Sequence, residues 1–204
     1  MRLLLIGAPG CGKGTQATRI AAYYGIEHIS SGDLLRRHVA DGTAIGRTVE
    51  EYLDRGDLVP GPVVMDMLRE PVEAASRRGG YILDGFPRTV EQAEAADPVA
   101  ESIGASVEIA LYLKVPRETL IQRLLGRGSR TGRSDDTEQV INHRLAVFEE
   151  SSGPLLACYA VRRILITVDA DGPVGKVTGT VVGRLDRAGR PNGDAHPPAR
   201  RTSR

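Results

Sequence analysis

The most informative segment of the chain is a glycine-rich run near its start, Gly7-Ala8-Pro9-Gly10-Cys11-Gly12-Lys13-Gly14-Thr15. A glycine, four residues and then Gly-Lys is the spacing of a phosphate-binding loop. Glycines let backbone N–H groups turn inward around phosphate oxygens, and the N-terminus of a following helix adds its dipole. Lys13 can then reach the β- and γ-phosphates. A plain strand-to-helix turn is the alternative, but the apolar run before the loop and the helical spacing after it favour phosphate binding.

The roles of Thr15 and Cys11 in this loop are less direct than that of Lys13. Gly14 follows Lys13 where the general pattern has Ser or Thr, and Thr15 comes one position later. Whether Thr15 contacts magnesium is therefore left open. We interpret Cys11 as a small packing residue rather than a reactive thiol.

A second candidate for chemistry is the carboxylate of Asp84, which ends the apolar run Tyr81-Ile82-Leu83. An aspartate at such a strand end can hold magnesium, directly or through water. The alternative is an aspartate that caps a turn. The sequel, Gly85-Phe86-Pro87-Arg88-Thr89, favours the first interpretation, because a rigid turn that ends in arginine suits the binding of a phosphate.

Apolar runs and helical spacings alternate along the chain and predict the elements that position these residues. We expect strands at 2–6, 26–30, 81–83, 107–113 and 164–168. Helices are expected after the glycine-rich loop, after residue 30 with Ser31 or Asp33 as its cap, around 49–53, over 63–76 with a break or kink at Pro71, over 117–125, from about 136, and over 174–185. This alternation predicts a parallel sheet with helices on both faces, whose carboxyl edge would collect the candidate sites.

Composition bounds the class of protein. The chain has 204 residues, of which 41% are hydrophobic and 26% charged, and its net charge of +1 predicts no nucleic acid or membrane partner. No apolar run approaches the roughly 20 residues that span a bilayer, and the N-terminus lacks the pattern of a secretory signal. Two cysteines, Cys11 and Cys158, make no disulfide framework and fit a reducing cytoplasm. Residues 187–204 have no Leu, Ile, Val, Phe or Tyr, so we expect a disordered basic tail.

Three segments together resemble the adenylate kinase family of nucleoside monophosphate kinases: residues 7–15, Ser30-Ser31-Gly32-Asp33-Leu34-Leu35-Arg36, and residues 84–89. The likeness spans roughly residues 1–185. It implies a three-layer α/β/α fold of the P-loop NTPase type with a central parallel sheet. It also implies a monomeric, cytoplasmic enzyme that uses Mg²⁺ to transfer a phosphoryl group reversibly from ATP to AMP, giving two ADP.

The resemblance also implies a role for individual residues. The donor ATP would contact Gly10, Cys11, Gly12, Lys13, Gly14, Thr15, Arg123, Arg127 and the main chain at Gly172. The acceptor AMP would contact Ser31 near its base, Arg36 and Arg88 at its phosphate, Gln92 at its adenine edge, and Asp57, Leu58, Val59, Gly85, Phe86 and Pro87 around it. Arg133 and Arg144 would reach both phosphates, and the residues that carry catalysis would be Lys13, Arg88, Arg127, Arg133 and Arg144.

The same resemblance divides the chain. Residues 1–186 would form the kinase domain, with a core of 1–29, 60–125 and 135–186, an AMP-binding arm of 30–59, and a lid of 126–134. This lid is too short for the zinc-holding insert of long-lid relatives and has no Cys or His, so we expect no zinc. Gly126, Gly128 and Gly132 would permit hinge motion.

Other functions remain open at this point. A UMP or CMP kinase of the same fold is the nearest, although Ser31, Thr89 and Gln92 favour AMP. A nucleotide-dependent regulatory P-loop protein is a second, but a guanine-reading Asn-Lys-x-Asp element is absent from the sequence. A nucleic acid binder that uses the basic tail is a third, and the chain lacks a set of stacking aromatic residues for it.

Overall fold

The computed structural model describes residues 1–131 and 137–189, with the side chains of 128–131 excepted. The strands are β1 (Arg2–Gly7), β2 (Glu27–Ser30), β3 (Tyr81–Asp84), β4 (Ile109–Lys114) and β5 (Leu165–Asp169). The helices are α1 (Lys13–Tyr24), α2 (Ser31–Ala40), α3 (Ala44–Arg55), α4 (Gly61–Arg77), α5 (Val90–Ser102), α6 (Arg117–Thr131), α7 (Glu138–Val161) and α8 (Val174–Ala188).

The five strands form one parallel sheet in the order β2-β3-β1-β4-β5. Asp84 at the end of β3 pairs with Leu5 of β1 and with Ser30 of β2, so the carboxyl ends of these strands lie side by side. The connection from β1 leads toward β2 and the connection from β3 leads the other way, to β4, so the switch point lies between the adjacent strands β1 and β3. The crevice at such a switch point is where α/β sheets bind ligands. The predicted parallel α/β fold is confirmed.

Helices cover both faces of the sheet, and β1 shows why. Leu3 and Leu5 belong to a core with Ile20 of α1, whereas Leu4 and Ile6 belong to a second core with Leu68 of α4. Successive side chains of a strand point to opposite faces, so the unbroken apolar run of β1 can fill both cores. The central strand that carries the glycine-rich loop is thereby fixed from both sides.

Several element boundaries differ from the predictions. The N-cap of α2 is Ser30, whose hydroxyl accepts a hydrogen bond from the Asp33 N–H at 3.2 Å, and not Ser31 or Asp33. Helix α3 begins at Ala44 because the Thr43 hydroxyl caps it. Helix α4 continues through Pro71 to Arg77.

The segments predicted as lid and tail each overlap the end of a helix. Helix α6 runs to Thr131, so the lid predicted at 126–134 overlaps a helix, and Gly126 lies within it. Helix α8 runs to Ala188, so Arg187 and Ala188 are helical rather than part of a tail. Residues 132–136 and 190–204 lie outside the described residues. Among the helices that are described, none is both long and apolar enough to cross a membrane.

Candidate active site

The glycine-rich loop connects β1 to α1 and depends on two left-handed glycines. Gly10 has φ +84° and Gly12 has φ +95°, a region that favours glycine. A Cβ atom at Gly10 would lie 2.8 Å from Leu124 Cγ of α6, so the loop also packs too closely against α6 for a side chain. Gly12 is the N-cap of α1 and has no side chain to cover the first N–H groups of that helix. The loop therefore presents a helix N-terminus to the cleft beside it.

The side chains of Lys13 and Cys11 differ in their contacts and in their burial. The Lys13 ammonium donates hydrogen bonds to the carbonyl oxygens of Gly7 at 2.8 Å and Ala8 at 3.1 Å. Cys11 is only 3% exposed, and burial raises the pKa of its thiol although the Lys13 charge opposes the shift. Cys11 thus packs as a neutral side chain, in agreement with the packing role predicted for it.

A hydrogen bond from the start of α2 holds the end of β3 at Asp84. Asp84 is 8% exposed, and its carbonyl oxygen accepts a hydrogen bond from the Ser31 hydroxyl at 3.1 Å. Gly85 has φ +92°, and a Cβ atom there would lie 2.6 Å from the Ser31 hydroxyl oxygen. Arg88 Nε donates to the Gly85 carbonyl oxygen at 2.8 Å, which directs the Arg88 side chain back over this turn.

These elements enclose one cleft of ≈600 Å³ at the carboxyl edge of the sheet. Its basic side chains come from five separate parts of the chain, whereas Asp33 and Asp84 are its acidic ones. The basic set is Lys13, Arg36, Arg88, Arg123, Arg127 and Arg144. Such an excess of cations around a helix N-terminus suits a polyphosphate anion. Lys13 and five of the arginines to which the resemblance gave a role thus line a single cleft, and Arg133 lies outside the described residues.

A smaller pocket of ≈80 Å³ adjoins this cleft and shares Pro9, Lys13, Gly85, Arg88 and Arg144 with it. Leu58 and Pro87 line the smaller pocket and not the larger cleft. These two residues were predicted to surround the acceptor nucleotide. The smaller pocket thus connects the turn after α3 with the phosphate loop.

Four other residues predicted to contact the acceptor, Ser31, Val59, Phe86 and Gln92, line neither pocket. Ser31 is 1% exposed and its hydroxyl is engaged with Asp84, so it does not face an acceptor base here. Val59 and Phe86 are buried at 7% and 6% exposure. The Gln92 side-chain oxygen accepts a hydrogen bond from the Arg88 backbone N–H at 2.8 Å. Gln92 therefore supports the turn that carries Arg88.

Two residues that the sequence analysis missed, Gln16 and Asp171, make hydrogen bonds at the part of the cleft that the β5–α8 loop borders. Arg123 donates to the Ala170 carbonyl oxygen at 3.4 Å and to the Asp171 carboxylate at 3.4 Å. Gln16 is 3% exposed, and its amide donates to the Val174 carbonyl oxygen at 3.2 Å. Asp171 follows the end of β5 and directly precedes Gly172-Pro173, and this position could have identified it as a residue of the site. Gln16 gave none, because its contact joins residues 158 positions apart.

A magnesium ion can be accommodated beside the phosphate loop. Asp84 and Thr15 line the same cleft and supply a carboxylate and a hydroxyl oxygen. Mg²⁺ typically binds through one or two carboxylates, several waters and substrate phosphates, so a single aspartate is sufficient. Within the described part of the chain, no group of three or more His, Cys, Asp or Glu side chains could hold a metal ion.

A parallel sheet with a phosphate loop at its switch point and a cleft lined by arginines defines a P-loop kinase. The chain matches the family profile described as "Adenylate kinase" over residues 5–164. It is 42% identical to an adenylate kinase of Kocuria rhizophila over 91% of this chain and 99% of the relative. Adenylate kinases of Mycobacteroides abscessus and of a Synechococcus species are 46% and 44% identical, each over 87% of this chain and 94% of the relative. The chain belongs to the adenylate kinase family, which confirms the resemblance and makes it an enzyme.

Proposed function

We propose that this enzyme transfers the terminal phosphoryl group of ATP to AMP, reversibly, giving two ADP. The observation that carries the proposal is the meeting of Lys13, Arg88 and Arg144 in one cleft, although they belong to α1, the turn after β3, and α7. Family membership supports adenine nucleotides as substrates and favours this reaction over the UMP or CMP kinase and the regulatory protein.

The donor triphosphate would lie in the glycine-rich loop. Backbone N–H groups of residues 10–15 and the α1 dipole would hold its β- and γ-phosphates, and Lys13 would leave the Gly7 and Ala8 carbonyl oxygens for them. Arg123, which lies against the β5–α8 loop at Ala170, would contact the donor base, and Arg127 its phosphates. The donor base would then lie near Gly172.

The acceptor would approach from the opposite side, beside α2 and the turn after β3. Arg36 and Arg88 would bind its phosphate, while the backbone at 57–59 would border its adenine. The acceptor phosphate is already an anion at neutral pH, so transfer requires no protein base. Catalysis would come from positioning the two anions and stabilising the charge that spreads over the equatorial oxygens.

Asp84 would hold magnesium, through water, and Thr15 is the second candidate ligand. The metal would neutralise part of the charge on the donor phosphates. Thr15 is exposed, Asp84 is buried, and both line the cleft, which supports this assignment.

Several features stay predictions from the sequence. The lid, its hinge motion and the role of Arg133 fall wholly or partly on residues outside the described range. The monomeric state, the cytoplasmic location, the lack of zinc and the disorder of the tail are likewise untested.

One experiment tests the reaction and its nearest alternative together. Purified full-length protein, Mg²⁺ and ATP are mixed with AMP, UMP or CMP, and the diphosphate products are measured. We expect ADP from AMP at a rate well above that of the other two acceptors. A faster rate with UMP or CMP would contradict the proposal, as would the absence of any diphosphate product.

A further inference from the structure

The turn that follows α3 packs directly against the side chain of Arg144. Gly56 ends α3 in a left-handed conformation with φ +76°. A Cβ atom at Gly56 would lie 2.5 Å from Arg144 Cγ and 3.0 Å from Arg144 Cδ. The bare backbone of Gly56 therefore forms the surface on which the Arg144 methylene groups lie. A side chain at this position would displace the guanidinium group from its place in the cleft.

The next residue on each side makes a second contact between the same two segments. His143 Nε2 lies 2.7 Å from Asp57 Oδ1. The two side chains are 46% and 39% exposed, so this pair alone stabilises the fold only weakly. It is consecutive with the Gly56–Arg144 contact, however, and the two contacts together fix the turn at 56–57 in one register along α7.

This double contact lies where the two pockets meet. Arg144 lines both the ≈600 Å³ cleft and the ≈80 Å³ pocket, and Gly56 lines the smaller one beside Arg88. A shift of the turn would therefore change the wall of the acceptor pocket and the position of Arg144 at the same time. The contacts couple the segment 30–59, predicted as the AMP-binding arm, to an arginine that lines the cleft.

We propose that Gly56 and the Asp57–His143 contact position Arg144 in the cleft and couple the acceptor segment to α7. Gly56 and His143 act as positioning residues, because they work through Arg144 and not on the reacting atoms. The inference rests on the proposed function for its kinetic consequence, although the placement of Arg144 can be measured without it.

Gly56→Ala tests the first contact, and Gly25→Ala is its matched control. Gly25 also ends a helix in a left-handed conformation, with φ +66°, but a Cβ atom there would meet nothing within 4 Å. Both variants pay the same kind of backbone strain, and only Gly56→Ala displaces Arg144. We expect kcat to fall about tenfold or more in Gly56→Ala and less than about twofold in Gly25→Ala. Equal kinetics in the two variants would overturn the inference.

His143→Ala and Asp57→Ala test the second contact and do not depend on the folding of a glycine variant. We expect the KM for AMP to rise about threefold in each, with the KM for ATP and the melting temperature nearly unchanged. The double variant should be no worse than either single one, and His143→Gln should restore much of the affinity because its amide can donate to Asp57. Glu149→Ala is the control, since it breaks the Arg117–Glu149 ion pair of α7, and neither partner lines the cleft. Independent, additive effects of His143 and Asp57 would overturn the inference.

NMR of the Arg144 side-chain Nε–H resonance separates this inference from the proposed function. A resonance shifted or broadened in Gly56→Ala and unchanged in Gly25→Ala supports the positioning of Arg144 even if no ADP is formed. ADP formation by the wild-type protein, with an Arg144 resonance that is the same in both variants, overturns the inference and leaves the function standing.

Discussion

The Ser31 hydroxyl donates a hydrogen bond to the Asp84 carbonyl oxygen at 3.1 Å, and this contact is buried. It joins the start of α2 to the end of β3, the two places where the chain turns toward the cleft. Ser31 thus supports the turn at Asp84 and Gly85, whereas the family resemblance implied that it contacts the acceptor base.

We therefore predict that Ser31→Ala lowers stability more than it changes base preference. Loss of the buried hydrogen bond leaves the Asp84 carbonyl oxygen without that donor and should cost about 1–2 kcal/mol of unfolding free energy. Denaturant unfolding measures this cost, and the ratio of rates with AMP and UMP measures preference. A large fall in the AMP to UMP ratio at unchanged stability would show that Ser31 reads the base after all.

Lys13→Met and Arg88→Ala should each abolish most of the activity. They remove charges from the donor and acceptor sides of the cleft, and losses of about 100-fold to 1,000-fold are expected for groups that stabilise transition-state charge. Far-UV circular dichroism should be unchanged. Arg69→Ala is a suitable control because Arg69 lies on α4 and does not line the cleft. Activity of either site variant within about tenfold of wild type would argue against its role.

The donor side should respond separately to Asp171→Ala. The Asp171 carboxylate accepts a hydrogen bond from Arg123 at 3.4 Å, so its removal takes away the charged partner of the Arg123 guanidinium and leaves the contact with the Ala170 carbonyl oxygen. We expect the KM for ATP to rise about threefold, because the pair is partly exposed, and the KM for AMP to stay constant. A matching rise in both constants would mean that Asp171 supports the whole cleft and not the donor site.

Cys11 is buried and Cys158 is half-buried, and this difference predicts how fast each thiol is alkylated and how the Cys11 rate depends on pH. Burial raises the pKa of the Cys11 thiol, so a smaller fraction of it is thiolate at any given pH than for an ordinary cysteine. At pH 7.5, iodoacetamide should therefore modify the half-buried Cys158 at least about tenfold faster than Cys11. Raising the pH should increase the Cys11 rate. Mass spectrometry of the labelled peptides measures both rates, and equal labelling would contradict the buried placement of Cys11.

Much of the fold could be predicted because its signals are local. The apolar run of β1 with the glycines that follow it is one such signal, and the apolar run of β3 with Asp84 at its end is another. Each signal is contained in a few consecutive residues. Helix α5 was missed because Ala93 is its only buried residue and Pro98 lies inside it, so apolar periodicity does not mark it, although its Ala and Glu residues favour a helix.

The site was predicted less completely than the fold. The sequence placed the arginines of the cleft, because family motifs and helical spacing mark them. It did not predict that Asp57 contacts His143, since these residues lie 86 positions apart and only the approach of the turn after α3 to α7 brings them together. The same applies to Ser31, whose hydrogen bond to Asp84 joins the start of α2 to the end of β3, 53 positions away.

The central claim is that two nucleotide anions meet in a single cleft, and one binding measurement tests it directly. A compound with two adenosines joined through five phosphates would occupy both halves of such a cleft at once. In calorimetric titrations we predict one molecule bound per chain, competition with both ATP and AMP, and a large loss of affinity in Lys13→Met and in Arg88→Ala. Competition with only one of the two nucleotides, or two molecules bound per chain, would contradict the account.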